Sequence, residues 1–358
     1  MIERWESSLR LEWLANPLLD SLFNTVSEAI LVVDGEMRVA LANRVARELF
    51  SFPIQTRPRL IEITRNKEIY NCFQQTLKEK CRQEQRIVLH GGGVERSLEL
   101  RIESIVSIVQ DREEVVGAIG TLFDITKLEA LERVRREFFA NLSHELRTPL
   151  TSIQSYVETL LSGALYDQDN NIKFLEIIAK HASRMQNLAK DISDLAAIES
   201  GKVTLRPQSL RLASVVREVV ELLKDNMKIK GVRFESEVRE DVMVRADPKG
   251  LEQILFNLVQ NAINFNQPGG SVTISTHYED GFQVINVCDT GIGIETKHIT
   301  RIFERLYRVD ESRSRREGGT GLGLAIVKHL VQAQGGSISV ESIPNQGSRF
   351  AVYLPAPD

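Results

Sequence analysis

The stretch FFANLSHELRTPL, Phe138 to Leu150, places an imidazole, a carboxylate and a hydroxyl within five residues. Its apolar residues fall at helical spacing. At about 100° per residue, His144 lies about 200° from both Leu142 and Leu146, so it faces away from the apolar seam. Thr148 is four residues further on and shares the face of His144. A neutral imidazole is a nucleophile at cellular pH. The neighbouring carboxylate, Glu145, can orient the ring and accept the proton released when the other nitrogen forms a bond. Pro149 has no N–H for the carbonyl of Glu145, and its ring bends a helix there. Taken alone, the stretch is more simply an exposed histidine on a kinked helix. A nucleophilic role needs a partner elsewhere in the chain.

Three segments fit such a partner, a nucleotide site. In NLVQNAINF, Asn257 and Asn261 stand four residues apart on one helix face, where oxygen ligands for Mg²⁺ could gather beside a phosphate. In CDTGIGI, Asp289 ends a strand, where a carboxylate can accept from an adenine amino group, and Gly291 and Gly293 allow close backbone approach. In EGGTGLGLAIVK, a Gly-rich turn precedes an apolar helix, so backbone N–H groups and a helix N-terminus could face a polyphosphate. Each segment alone has a bland reading as a surface asparagine pair, a short string or a tight loop. No GxxxxGK[ST] loop is present, which excludes a P-loop, and no GxGxxG stands in the right context.

The elements that must position these groups can be read from periodicity. From Pro17 to Thr126 short strands and helices mix: AILVVD and RVALAN about Gly35-Glu36, helical RVARELF and EIYNCFQQTLKEK, then QRIVLH, RSLELRIESIVSIVQ and EVVGAIGTLFDIT. From Lys127 the period is helical, with Leu128, Leu131, Phe138, Leu142, Leu146, Ile153 and Leu160 in one row. A second helix carries Leu175, Ile178, Ala182, Met185, Ala189, Ile192 and Ala196, a 3-4 heptad seam ending near Gly201. Two such helices are half a bundle, and a second copy would complete four helices. From Val203 strands VRFESEVRE, SVTISTHYE and FQVINVCD alternate with helices LEQILFNLVQNAINF and TGLGLAIVKHLVQAQ, and GSISVES and GSRFAVYLP close as a hairpin.

Bulk properties narrow the class. The 358 residues suggest two to three domains. A net charge of −4 argues against a general nucleic-acid binder. Cys72, Cys81 and Cys288 lack zinc-like spacing and fit a reducing compartment, with Cys72 and Cys81 on one helix-like segment. No apolar run spans a bilayer and no signal peptide opens the chain, so a cytoplasmic location is expected, with membrane attachment only through a longer chain or a partner. His90-Gly91-Gly92-Gly93 resembles an oxyanion-hole string, but without GxSxG a hairpin tip is the reading. The surroundings of Cys72 lack a flavin-binding pattern, and no cofactor is expected in that region.

The His144 segment closely resembles the phosphoacceptor box of sensor histidine kinases. The three later segments resemble the N, G1 and G2 boxes of their catalytic domain, the ATP-binding fold shared with gyrase-type and chaperone ATPases. IFERLYRVD, Ile302 to Asp310, resembles the F box of the mobile lid. The first region, with its closing Asp124-Ile125-Thr126, resembles a PAS domain. The resemblance implies a multidomain α+β protein: an N-terminal helical segment 1–17, a PAS domain 18–126, a hairpin 127–204 that dimerises to a four-helix bundle, and an α/β sandwich of Bergerat type, 205–358. It implies that His144 takes phosphate from ATP and passes it to an aspartate of a response regulator. Glu145 is then the acid/base neighbour, and Thr148 positions water for dephosphorylating the regulator. It assigns Asn261 to Mg²⁺ with Asn257 nearby, and Asp289, Gly291 and Gly293 to the adenine. Gly319, Thr320, Gly321, Leu322 and Gly323 fall to the phosphates and lid hinge, Phe303 to an apolar anchor, and Arg308 to phosphate. The domain order is similar to that of phosphate-limitation sensor kinases. One position departs: where the family has a basic residue, three after the Mg²⁺ asparagine, stands Asn264. Arg313, Arg315 and Arg316 are candidates to replace that charge.

Overall fold

The protein is described by a computed structural model covering residues 17–52, 57–91, 94–109, 112–167, 169–201, 204–309 and 319–357. Residues 1–16 of the expected N-terminal helix, Gly92, Gly93, Asp310, Arg313, Arg315 and Arg316 lie outside the described residues. Two compact units divide the chain, one ending at Glu137 and one running from Phe138 to Asp358.

The first unit contains helix α1 (Pro17–Thr25), strands β1 (Ala29–Asp34) and β2 (Val39–Ala42), helices α2 (Arg44–Phe50), α3 (Leu60–Thr64) and α4 (Lys67–Glu79), and strands β3 (Gln83–Gly91), β4 (Val94–Val109) and β5 (Arg112–Asp124). The strands form one antiparallel sheet in the order β2-β1-β5-β4-β3. Polar side chains set the turns. Asp34 Oδ1 accepts from the N–H groups of Glu36 and Arg38, and Asn43 and Asn66 cap α2 and α4. Helix α4 buries Ile69, Cys72, Phe73 and Thr76. Phe73 fills the space over Gly120, where a Cβ would stand 2.3 Å from its ring. α4 ends at Glu79 because Lys80 turns left-handed (φ 55°), so Cys81 lies beyond the helix that Cys72 occupies. His90-Gly91 sits where β3 turns into β4, with Gly91 paired to Val94.

Helix α5 (Thr126–Leu161) carries the His144 stretch and continues through Pro149, which is buried. A short 3₁₀ turn (Ala164–Tyr166) leads to α6 (Asn171–Glu199). The remaining elements are β6 (Gln208–Arg211), α7 (Leu212–Lys230), β7 (Arg233–Ser236), β8 (Met243–Ala246), α8 (Pro248–Asn264), β9 (Ser271–Glu279), β10 (Phe282–Asp289), α9 (Thr296–Ile299), α10 (Gly323–Ala333), β11 (Ser337–Ile343) and β12 (Gly347–Pro355). β11-β12-β10-β9-β7 form a sheet, antiparallel except at β7–β9, and β6 pairs with β8. Periodicity missed α7 and the β6–β8 pair. α7 nevertheless buries Leu212, Val216, Val219, Leu223 and Met227 at steps of three and four.

The seam expected on α6 is only partly covered. The residues of α6 that are buried are Leu188 and Leu195, which join the core of the α/β sandwich, while Leu175 stays 47% exposed. Phe138, Leu142 and Leu146 of α5 pack against the same core. Within this unit the two helices therefore direct apolar side chains toward the sandwich as well as toward one another.

Candidate functional site

His144 is exposed, as its position opposite Leu142 and Leu146 requires. Thr148 donates its hydroxyl to the His144 carbonyl at 3.2 Å, and Ser152 does the same to Thr148 at 3.1 Å. These bonds reinforce the His144 and Thr148 carbonyls, while the Glu145 carbonyl receives no N–H from Pro149. Glu145, half-buried beside His144, holds two arginines. Arg184 of α6 reaches Oε2 at 2.9 Å, and Arg308 lies 3.1 Å from Oε2 and 3.3 Å from Oε1. Arg308 also donates to the carbonyl of Gly319 at 2.6 Å.

The second half of the site is a cavity of about 990 Å³. Helix α8 builds one wall because it has two faces. Leu251, Ile254, Leu255, Leu258, Val259, Ala262 and Ile263 are buried on the sheet side. The polar side, Gln253, Asn257, Gln260, Asn261 and Asn264, lines the cavity. Asp247 fixes the start of this helix by accepting from the Gly250 N–H, with Pro248 in the first turn. Among the described residues, the Asn261 side chain has no hydrogen-bond partner, so its oxygen is available to a ligand. Asn257 is tied to the Gly323 carbonyl at 3.4 Å, linking the asparagine face to the Gly-rich turn. Asn264 accepts from Gln260, which in turn accepts from Asn226 of α7. The position lacking a cation is thus built into an amide chain. Lys230, one turn past Asn226, and Lys249 also line the cavity.

Asp289 ends β10 on the cavity wall. Burial pushes its carboxyl up, opposed by hydrogen bonds from Gly291 and Ser348. Gly293 is left-handed (φ 63°), and a Cβ there would meet the Ile343 carbonyl oxygen at 2.1 Å. Gly321 is also left-handed (φ 77°), with the Leu306 backbone 3.0 Å from where a Cβ would stand. Both positions admit glycine alone without strain. Gly319, Thr320, Gly321, Gly323 and Arg308 line the cavity, whereas Gly291, Phe303 and Leu322 do not. Leu322 is fully buried, and Phe303 packs edge-on against Phe350 at 6.5 Å, an anchor in the core rather than a ligand contact. Gly291 has no room to turn outward, since a Cβ would stand 2.5 Å from the Phe265 oxygen.

Sequence reasoning missed the groups that α6 brings to this cavity. Asn187, Lys190 and Asp191 line it. Thr320 donates to Asp191 at 2.6 Å, and burial pushes the Asp191 carboxyl up against that bond. Two turns further on, Glu199 meets Arg305 at 2.5 Å and His329 at 3.2 Å, and burial pushes the His329 imidazole down. No local pattern marks these pairs, because their partners are more than 100 residues away in sequence.

A helical hairpin with an exposed histidine, joined to an α/β sandwich whose cavity is lined by asparagines, a half-buried aspartate and a Gly-rich turn, defines the sensor histidine kinases, and the chain belongs to that family. Residues 134–201 match the His Kinase A (phospho-acceptor) domain, and residues 246–358 match the Histidine kinase-, DNA gyrase B-, and HSP90-like ATPase domain. The chain is 37% identical over 270 residues to the sensor histidine kinase WalK of Bacillus subtilis, covering 73% of this chain and 44% of that protein. It is 30% identical over 342 residues to the sensor protein kinase WalK of Staphylococcus epidermidis, covering 94% of this chain and 55% of that protein. The chain thus spans about half the length of these curated relatives. Among solved structures, histidine kinase ThkA in complex with response regulator protein TrrA shares the fold, with a TM-score of 0.51 at 24% identity over 94% of this chain and 98% of that one. Acinetobacter baumannii histidine kinase AdeS does so over 60% of this chain and 98% of that one, with a TM-score of 0.51 at 23% identity. Among the described residues, no helix is long and apolar enough to cross a membrane.

Proposed function

We propose that the chain is an ATP-dependent autophosphorylating protein-histidine kinase that relays phosphate from His144 to an aspartate of a response regulator. The observation that carries this reading is that exposed His144 adjoins Glu145, whose carboxylate is bonded to Arg308 on the wall of the nucleotide cavity. One ring nitrogen of His144 attacks the γ-phosphorus, the bond from that phosphorus to the ADP oxygen breaks, and Glu145 takes the proton from the other nitrogen. Asp289 would accept from the adenine amino group. Thr320, Gly321, Gly323 and Arg308 would hold the phosphates, and catalysis is positioning and charge neutralisation. The residues fit a Mg²⁺ ion: Asn261 lines the cavity and would hold the ion, which would neutralise phosphate charge.

The half-covered seams of α5 and α6 support a homodimer through 127–204. The first unit, a five-stranded antiparallel sheet with short helices on one face, supports a PAS-type sensor in the same chain. A cytoplasmic place for these parts fits three free cysteines. Thr148, beside His144 on the exposed face, supports regulator dephosphorylation as a second activity of the same helix.

Labelled ATP tests the reading. The wild type should gain acid-labile, base-stable label, and His144→Gln should gain none. Label that persists in His144→Gln, or its absence from wild type, overturns the kinase. Dephosphorylation should appear as Thr148-dependent loss of label from a phosphorylated regulator.

A further inference from the structure

Helix α6 meets the sandwich along one row: Leu188, Asp191, Leu195 and Glu199, at steps of three and four. The two leucines are buried in the core, and the two acids reach the Gly-rich turn and the segment before it. On α5, Glu145 reaches Arg308. Two carboxylates of the helical hairpin therefore engage a hydroxyl and a guanidinium that both line the nucleotide cavity, with Asp191 itself on the cavity wall.

We infer that the docked hairpin competes with the nucleotide: Glu145 and Asp191 act as internal stand-ins for phosphate oxygens on Arg308 and Thr320, so that this docked arrangement and a bound triphosphate exclude one another. This inference rests on the nucleotide reading of the cavity. The chemistry is direct. Carboxylate and phosphate oxygens take the same donors, and a guanidinium binds either through two oxygens. A polyanion entering beside Asp191 and Glu145 meets like charge in a partly buried site, where screening is weak. Taking Arg308 from Glu145 has a second consequence. It leaves Glu145 with one arginine, Arg184, in place of two, so that nucleotide entry loosens the acid/base group beside the imidazole. The leucine contacts and the Glu199 cluster then set how firmly the unloaded protein stays docked.

Amide hydrogen exchange on the full chain, with and without Mg²⁺ and a non-hydrolysable ATP analogue, reads both partners at once. The expected result is protection of residues 289–293 and 319–323 together with faster exchange across 187–196 of α6. Protection of the cavity segments with unchanged exchange in α6 overturns the competition and leaves the nucleotide site standing. No protection of the cavity segments overturns both. A second measurement is analogue affinity. Asp191→Asn and Asp191→Ala should bind at least about tenfold tighter, the scale of one lost charge-assisted hydrogen bond. Unchanged or weaker binding by both variants, with wild-type exchange in α8, overturns the inference.

Discussion

Arg308 and Glu145 are joined through both carboxylate oxygens, at 3.1 and 3.3 Å, across 163 residues of sequence. The arginine side chain is 6% exposed, so the pair is held mostly away from water. This single contact ties the residue after His144 to the wall of the cavity that we propose for the nucleotide.

Replacing Arg308 should therefore act at two levels. Arg308→Ala leaves Glu145 with Arg184 alone and should destabilise the nucleotide-free protein by about 1–2 kcal/mol in calorimetry. Labelling of His144 should slow at least about tenfold, because a phosphate-side cation is gone. Arg308→Lys should recover only part, since an ammonium cannot span two oxygens in a fork.

Asp289 makes a pH-dependent prediction. Burial raises its folded pKa above the unfolded value, so the charged carboxylate costs stability at neutral pH, and that cost disappears as pH falls through the folded pKa toward the unfolded one. Asp289→Asn should thus compare best with wild type at neutral pH and lose ground as the solution is acidified, in melting curves run across that window. ATP affinity should drop at least about tenfold at neutral pH, since an adenine amino group loses a charged acceptor, and the gap should narrow as the solution is acidified.

At Gly293 the backbone leaves no choice. Gly293→Ala puts a Cβ against the Ile343 carbonyl in a left-handed conformation. A loss of about 2–4 kcal/mol is expected from strain and displacement together, read by urea denaturation. Gly319→Ala, where an added Cβ meets no atom of the described residues within 4 Å, should be tolerated.

Pro149 interrupts the hydrogen-bond ladder one turn after His144, although the helix continues past it. Pro149→Ala restores an N–H for the Glu145 carbonyl. The ratio of His144 labelling to regulator dephosphorylation should change by more than about threefold, within the range of couplings carried by packed elements. An unchanged ratio would remove the proline from any control of His144.

Local chemistry made much of this legible in sequence. The His144 stretch, the Asn257/Asn261 face, Asp289 and the Gly-rich turn each satisfy a short-range rule of helix spacing, strand ending or backbone freedom, and periodicity alone brought out the long helices and most strands. Helix α7 escaped because its amphipathic run lies beside no motif, and β6 and β8 are four residues each and gain order from pairing with one another. Which apolar row is buried was not decidable locally. The α6 heptad offers Ile178, Met185 and Ile192, yet the residues that the sandwich fully buries are Leu188 and Leu195, with Ile192 only packed at the edge of that core, because burial depends on what docks and not on spacing alone. The partners of Glu145, Asp191 and Glu199 exist only once α5 and α6 lie against the sandwich. Sequence by itself determined which candidate groups share a helix face, a strand end or a turn, through rules that act within a turn or two of chain. Tertiary structure decided which donors those groups hold, because an ion pair across 163 residues is fixed by packing that no local pattern records.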